Sequence, residues 1–324
     1  MKSDIIANYY KTFAFDERKY QEYLEKVREE LFSEISNLLA KTESLRLKEK
    51  ITYALQTRGK LLRPTLVMLS GQSVGGNWDH LKKLALTIEL LHNATLVHDD
   101  ILDNDHFRRD ALAIYSKYGV RTAILVGDAL ASLSLNLSAE YNNEISKIVS
   151  QTCLSLCDGE YMDAAEITSE PSEQLYFEKI RKKTASLFKT ATQCGAIAGG
   201  GTPAEIASLT EFGENYGIAY QISDDLSDIA SLKEGLVPGQ NDFQTLPFIH
   251  LYESTGKREK YLQDLSPEQL YGHLGKFNCL RYCSDKIKDY LSKAVVNLEH
   301  LRGSMYKSYL LKIVDNLLQE SLMF

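Results

Sequence analysis

Residues 79–104 read DHLKKLALTIELLHNATLVHDDILDN, and this stretch decides the fold. Leu81, Leu84, Ala85, Ile88, Leu91, His92, Thr95 and Leu96 recur at the three- and four-residue steps of one helix face. A helix of about seven turns with one apolar face needs other helices to cover it. The same periodicity runs outward in both directions. Helices are predicted over 16–41, 44–57, from Arg63-Pro64 to the glycines Gly71, Gly75 and Gly76, and over 120–139, 141–166, 172–199, 203–230, 245–254, 266–274, 278–301 and 304–322. Thr202-Pro203-Ala204-Glu205 and Ser266-Pro267-Glu268-Gln269 are helix-start signals with proline in the first turn. Residues 231–244 read as the clearest loop, and no segment alternates like a strand. Length alone suggests two domains at ~150 residues each. No composition shift marks a boundary, so residues 1–324 read as a single all-α domain.

Composition supports this. The chain holds 19 glycines and 6 prolines among 324 residues, well under the roughly 12% of average usage. With 44% apolar residues it supports a large core, which excludes disorder and a disulfide scaffold. The net charge of −7 gives no overall attraction to nucleic acid or an anionic membrane. Five cysteines, Cys153, Cys157, Cys194, Cys279 and Cys283, are an odd number without a disulfide or zinc pattern. They read as buried free thiols of a reducing compartment, the cytoplasm. Met1-Lys2-Ser3-Asp4 opens no signal peptide, and no uninterrupted apolar run of ~18 residues predicts a membrane span.

The chemistry concentrates at helix ends. In His98-Asp99-Asp100-Ile101-Leu102-Asp103, Asp99 and Asp103 lie four apart, so both carboxylates project from one face. Like charges at that spacing repel, and aspartates at a helix C-terminus oppose its dipole. A hard cation such as Mg²⁺ repays both costs. Tyr220-Gln221-Ile222-Ser223-Asp224-Asp225-Leu226-Ser227-Asp228 repeats the spacing at the end of another long helix. Two such motifs predict two acidic walls facing across a cavity, with Asp99, Asp103 and Asp224 as metal ligands and Asp100 and Asp228 as further candidates. Cations complete the pattern: Lys60 and Arg63 in Gly59-Lys60-Leu61-Leu62-Arg63-Pro64, then Arg108-Arg109, then Lys183-Thr184. They outline two anion sites. One combines metal with Lys183 and Arg108. The other, metal-free, uses Lys60, Arg63, Arg109 and His92.

On these residues the chain resembles the all-trans polyprenyl (isoprenyl) diphosphate synthases. The ordered set is GKxxRP at 59–64, DDxxD with Arg-Arg at 99–109, Lys-Thr at 183–184, QxxDDxxD at 221–228 and Thr-Leu-Pro at 245–247. The resemblance implies a homodimeric helical bundle around a deep apolar cavity, the isoprenoid synthase fold. It also implies about three Mg²⁺ per site and head-to-tail addition of isopentenyl diphosphate to an allylic diphosphate. Gln221 and Thr184 would aim oxygen dipoles at the carbocation. Two departures stand out. Arg109-Asp110-Ala111-Leu112-Ala113 replaces the usual Arg-Arg-Gly-x-Pro-Thr continuation. Asp242-Phe243 replaces a Gly-Lys pair before x-Thr-Leu-Pro, which removes a phosphate-binding lysine unless Lys233 substitutes. The trimmed loop resembles an archaeal short-chain branch.

Product length is read from the face running back from Asp99. Ala94 and Thr95 are small where bulky aromatics stop the chain early in the family. Leu91 is the first obstacle, which predicts a C20–C25 product (geranylgeranyl or geranylfarnesyl diphosphate), and Ile88 is a second stop for C30 or longer. Competing readings are a longer-chain (C30 or more) synthase, a class I terpene cyclase, a His-Asp phosphohydrolase, a di-iron bundle and a non-catalytic subunit of a heteromeric synthase. The cyclase needs no second anion site, and the phosphohydrolase needs a histidine set that the seven histidines do not form. The di-iron bundle needs a second ExxH beside Glu89–His92.

Overall fold

The computed structural model describes residues 15–42, 46–56, 59–164, 171–230, 232, 235, 241–256, 262 and 265–322. The N-terminal Met1–Asp4 segment and Lys233 lie outside them. In chain order the helices are α1 (Glu17–Lys41), α2 (Lys48–Gln56), α3 (Leu62–Ser73), α4 (Trp78–Leu102), α5 (Ile114–Tyr118), α6 (Val120–Ser138) and α7 (Asn143–Ala164). Then come α8 (Glu173–Ile180), α9 (Ser186–Ala198), α10 (Pro203–Ala230), α11 (Leu246–Thr255), α12 (Pro267–Lys276), α13 (Cys279–Glu299) and α14 (Met305–Ser321).

Local chemistry sets many of the starts. Asp16 and Asn77 accept backbone hydrogen bonds at the heads of α1 and α4. Thr202 and Glu205 bond reciprocally before α10, and Ser266 with Gln269 forms a full capping box before α12. The arrangement around the site follows from apolar faces. α4 packs along α6 and crosses α3, α9 lies between α3 and α10, and α10 packs along α13. Ile88 and Leu91 join the main core with Leu66, Phe188 and Ile222. Ala94 and Val97 face a second core with Val126 and Leu130 of α6. Phe243, Phe248, Leu251 and Leu274 form a third beneath α11 and α12.

Three expectations are corrected. Gly71 does not close α3 but lies inside it, where a Cβ would come within 2.3 Å of the Leu81 side chain. Glycine is there because two helices cross at backbone distance. The segment 172–199 is not one regular helix. Residues Arg181–Ala185 form a π turn between α8 and α9, a feature common at functional sites. The chain does contain strands: Phe107–Arg108 (β1) pairs antiparallel with Ala111–Leu112 (β2). Arg109 and Asp110 form the turn at φ 51° and 65°, the left-handed geometry of a two-residue hairpin. A lone pair of two-residue strands leaves no alternation to read. Among the described residues α6 is long and apolar enough for a span by length and composition, with 28% of its 18-residue window buried, but one such helix does not overturn the expectation that no span is present. Arg121 and Asp128 interrupt the run in sequence. Ile124 and Leu125 on its outer face are exposed.

The described cysteines are free; Cys194, Cys279 and Cys283 are buried, whereas Cys157 is exposed.

Candidate active site

The first acidic wall is the C-terminal end of α4. Asp99 lies in its last turn and Asp103 caps it through a backbone bond back to Asp99. Sequence reasoning missed two partners here, Glu160 and Asp163, one turn apart on α7. They frame Lys183, whose Nζ lies 2.9 Å from Glu160 and 2.6 Å from Asp163. Lone acids on a helix carry no spacing signal, so only packing brings them into view. Asp99 is pushed up to about 8 by burial and by Glu160 and Asp103, against Lys183. Burial also raises Asp103 and Glu160. Burial opposes the charge on Lys183, but Asp163 and Glu160 more than reverse this and hold it protonated. Asp163 is the exception among the acids: burial raises it, yet Lys179 and Lys183 bring it below the usual carboxylate value.

Asp99 Oδ1 is buried and has no hydrogen-bond partner. An acceptor left bare in this way costs about 1–3 kcal/mol unless something cationic meets it. The donor set is all carboxylate oxygen, which suits Mg²⁺. Among the described residues no three His, Cys, Asp or Glu side chains are gathered to hold an ion alone. Mg²⁺ commonly takes one or two carboxylates and completes its shell with substrate phosphates, so the residues fit it.

One metal candidate points elsewhere. Asp100 faces away from Asp99 and is taken by Arg108, whose Nε donates to its carboxylate at 2.7 Å. Arg108 also reaches Asp105 at 3.5 Å. Its guanidinium is anchored beside the wall, and Asp100 is spent on holding it.

The second wall is the end of α10. Asp224 is exposed and Asp225 buried. Tyr176 donates to Asp225 at 2.5 Å and Gln221 at 2.9 Å. Burial lifts Asp225 to about 6 despite these bonds. Gln221 in turn accepts from Thr184 at 2.6 Å. The π turn and the second aspartate motif are thus tied by one chain of hydrogen bonds. Asp228 is exposed one turn further on. The protein packed around its inner side desolvates the Asp224 carboxyl and raises it, while Arg63 and Lys60 oppose the shift.

Those two cations belong to a separate open pocket of about 470 Å³, lined by Arg28, Lys60, Arg63, Glu89, His92, Arg109 and Tyr220 among others. Arg63 lies over the Phe188 ring, 4.3 Å from its centroid, and its Nε is sealed from solvent without a partner. Its NH1 is 3.2 Å from His92 Nε2. A guanidinium only donates, so Nε2 accepts and the imidazole proton sits on Nδ1. Burial, then Arg63 and Arg109, hold His92 neutral. Arg109 closes over Gly59, where a Cβ would lie 2.6 Å from its guanidinium. The sequence placed Lys60, Arg63, His92 and Arg109 together, and the fold does so. It adds Arg28 from α1 and the buried acid Glu89.

This helical bundle gathers carboxylates that suit a hard cation and, in a separate pocket, cations that suit an anion. That defines an enzyme of diphosphate chemistry. Comparison then fixes the family. Residues 44–270 match the polyprenyl synthetase family model. A short chain isoprenyl diphosphate synthase of Methanothermobacter thermautotrophicus is 34% identical over 93% of this chain and 97% of its own length. A geranylgeranyl diphosphate synthase of Methanosarcina mazei is 32% identical over 87% of this chain and 92% of its own. The crystal structure of a decaprenyl diphosphate synthase from Rhodobacter capsulatus superposes with a TM-score of 0.84 at 25% identity, covering 94% of this chain and 99% of that one. The chain belongs to the polyprenyl synthetase family and is a polyprenyl diphosphate synthase, a prenyltransferase acting on isoprenyl diphosphates.

Proposed function

We propose that the protein is a Mg²⁺-dependent synthase that adds isopentenyl diphosphate head-to-tail to geranyl or farnesyl diphosphate and releases a C20–C25 trans product. One observation carries the reading. Two polar groups of the candidate site are buried bare: Asp99 Oδ1, which calls for a cation, and Arg63 Nε, which calls for an anion. Asp99, Asp103 and Asp224 would hold Mg²⁺, which when bound neutralises the departing pyrophosphate. Lys183, fixed by Glu160 and Asp163, binds the allylic diphosphate, with Arg108 anchored nearby. Lys60, Arg63, Arg109 and His92 bind isopentenyl diphosphate. Thr184 and Gln221 present oxygen dipoles to the carbocation and carry no nucleophile strong enough to trap it. The whole chain acts as one domain. The exposed apolar outer face of α6 supports a homodimer, and the free cysteines support the cytoplasm as its compartment.

The archaeal short-chain relatives favour C20–C25, as do small Ala94 and Thr95 before the first aspartates. The test is incubation of the pure protein with labelled isopentenyl diphosphate and each allylic starter, with and without a chelator, and sizing of the dephosphorylated products. Products of C30 or longer overturn the length reading. Full activity in chelator overturns the metal reading.

A further inference from the structure

Lys179 is a lysine where burial is expensive. It is 9% exposed, and lysine is almost never buried so deeply unless paired. Its Nζ lies 2.7 Å from Asp163 Oδ1, while Lys183 takes the other oxygen of the same carboxylate at 2.6 Å. It also acts electrostatically on buried Asp225 of the second wall. Lys179 therefore stands between the two acidic walls, one turn before the π segment that carries Lys183. It lines a small pocket of about 20 Å³ with Tyr176 and Gln244, the end of the short turn preceding Thr245. Phe243 lies next to Gln244 in the same short turn. Phe243 is 4% exposed and packs on Phe248 with ring centroids 4.9 Å apart, so it is core rather than phosphate ligand.

Glu160 and Asp163 pair directly with Lys183, and Asp99 and Asp103 act on it electrostatically. Left alone with them, Lys183 would be held by the acids instead of offered to a diphosphate. We propose that Lys179 is a positioning residue: it occupies one oxygen of Asp163, so that Lys183 is fixed on the other. The proposal rests on the reading of Lys183 as a diphosphate ligand.

The test compares Lys179→Met, Lys179→Arg, Asp163→Asn and the Lys179→Met/Asp163→Asn double variant. Pyrophosphate affinity is measured by calorimetry in Mg²⁺ buffer, and KM for each substrate by steady-state kinetics. Lys179→Met should weaken pyrophosphate binding and raise the allylic KM about tenfold, roughly 1.4 kcal/mol, and leave the isopentenyl diphosphate KM unchanged. Lys179→Arg should restore both. Added to Asp163→Asn, Lys179→Met should cost little more, because it works through that carboxylate. Unchanged pyrophosphate affinity in Lys179→Met overturns the proposal. So does equal damage to both substrates that follows the fall in Tm, the signature of a merely structural ion pair. If the Lys179 variants do not fold, Asp163→Asn decides alone: unchanged pyrophosphate affinity overturns the role. A wild-type protein that binds no pyrophosphate sinks the reading of Lys183, whereas wild-type binding matched by Lys179→Met sinks only Lys179.

Discussion

Asp99 is the residue at which stability and function pull apart. Its pKa is raised to about 8, so between the ordinary aspartate value and that point the folded chain holds a proton that the unfolded chain has lost. Stability then falls as pH rises through this window, since the native state binds more protons. Asparagine cannot ionise. In Mg²⁺-free buffer Asp99→Asn should match the wild-type Tm near pH ~5 and exceed it by several degrees near pH ~8.5. Turnover should drop about a hundredfold or more. A Tm difference that does not vary with pH would show that Asp99 is not a strained carboxylate.

At the scale of elements, the π turn is held in place by a close crossing. A Cβ on Gly159 of α7 would lie 2.4 Å from the Lys183 backbone nitrogen. Gly159→Ala should therefore push α7 from the π turn and cost about 1–3 kcal/mol, as overpacking does. The Lys183, Thr184 and Gln221 chain moves with it, so kcat should fall more than the stability loss accounts for. Circular dichroism melts beside kcat would check this: a destabilised variant with full kcat would mean the π turn tolerates displacement. A sequence window over 172–199 gives no sign of the turn. The extra residue costs one hydrogen-bond register, and its compensation lies on α7 and α10.

At the scale of the molecule, α6 buries one face on α4 and leaves the other to solvent. Leu125, 55% exposed, lies at the centre of that outer face. Leu125→Glu should convert a dimer to a monomer by size-exclusion chromatography with light scattering; an unchanged mass would place the interface elsewhere. Product length also belongs to this scale. Leu91 and Ile88 face the main core, while Ala94 faces α6 in the second core. A tail running back from Asp99 meets Leu91 after about 12 Å of helix rise. Leu91→Ala should lengthen the product, and Ala94→Phe should shorten it to about C15 if the tail passes the α6 side. An unchanged product set in both variants would put the floor on another helix.

The sequence by itself determined the helices, because a 3.6-residue apolar period and the Thr202, Ser266 and Asn77 caps are local properties. It also determined the chemistry, because DDxxD repeated at two helix ends is a spacing that one helix face imposes. Tertiary structure decided which acids do the work. Asp99 is left bare for a cation. Asp100, its immediate neighbour, turns to the other side and is used up by Arg108. Glu160 and Asp163 enter the site from α7 and Lys179 from α8. Burial, pairing and the field of surrounding charge depend on what other elements bring within a few ångströms, and no single helix encodes that.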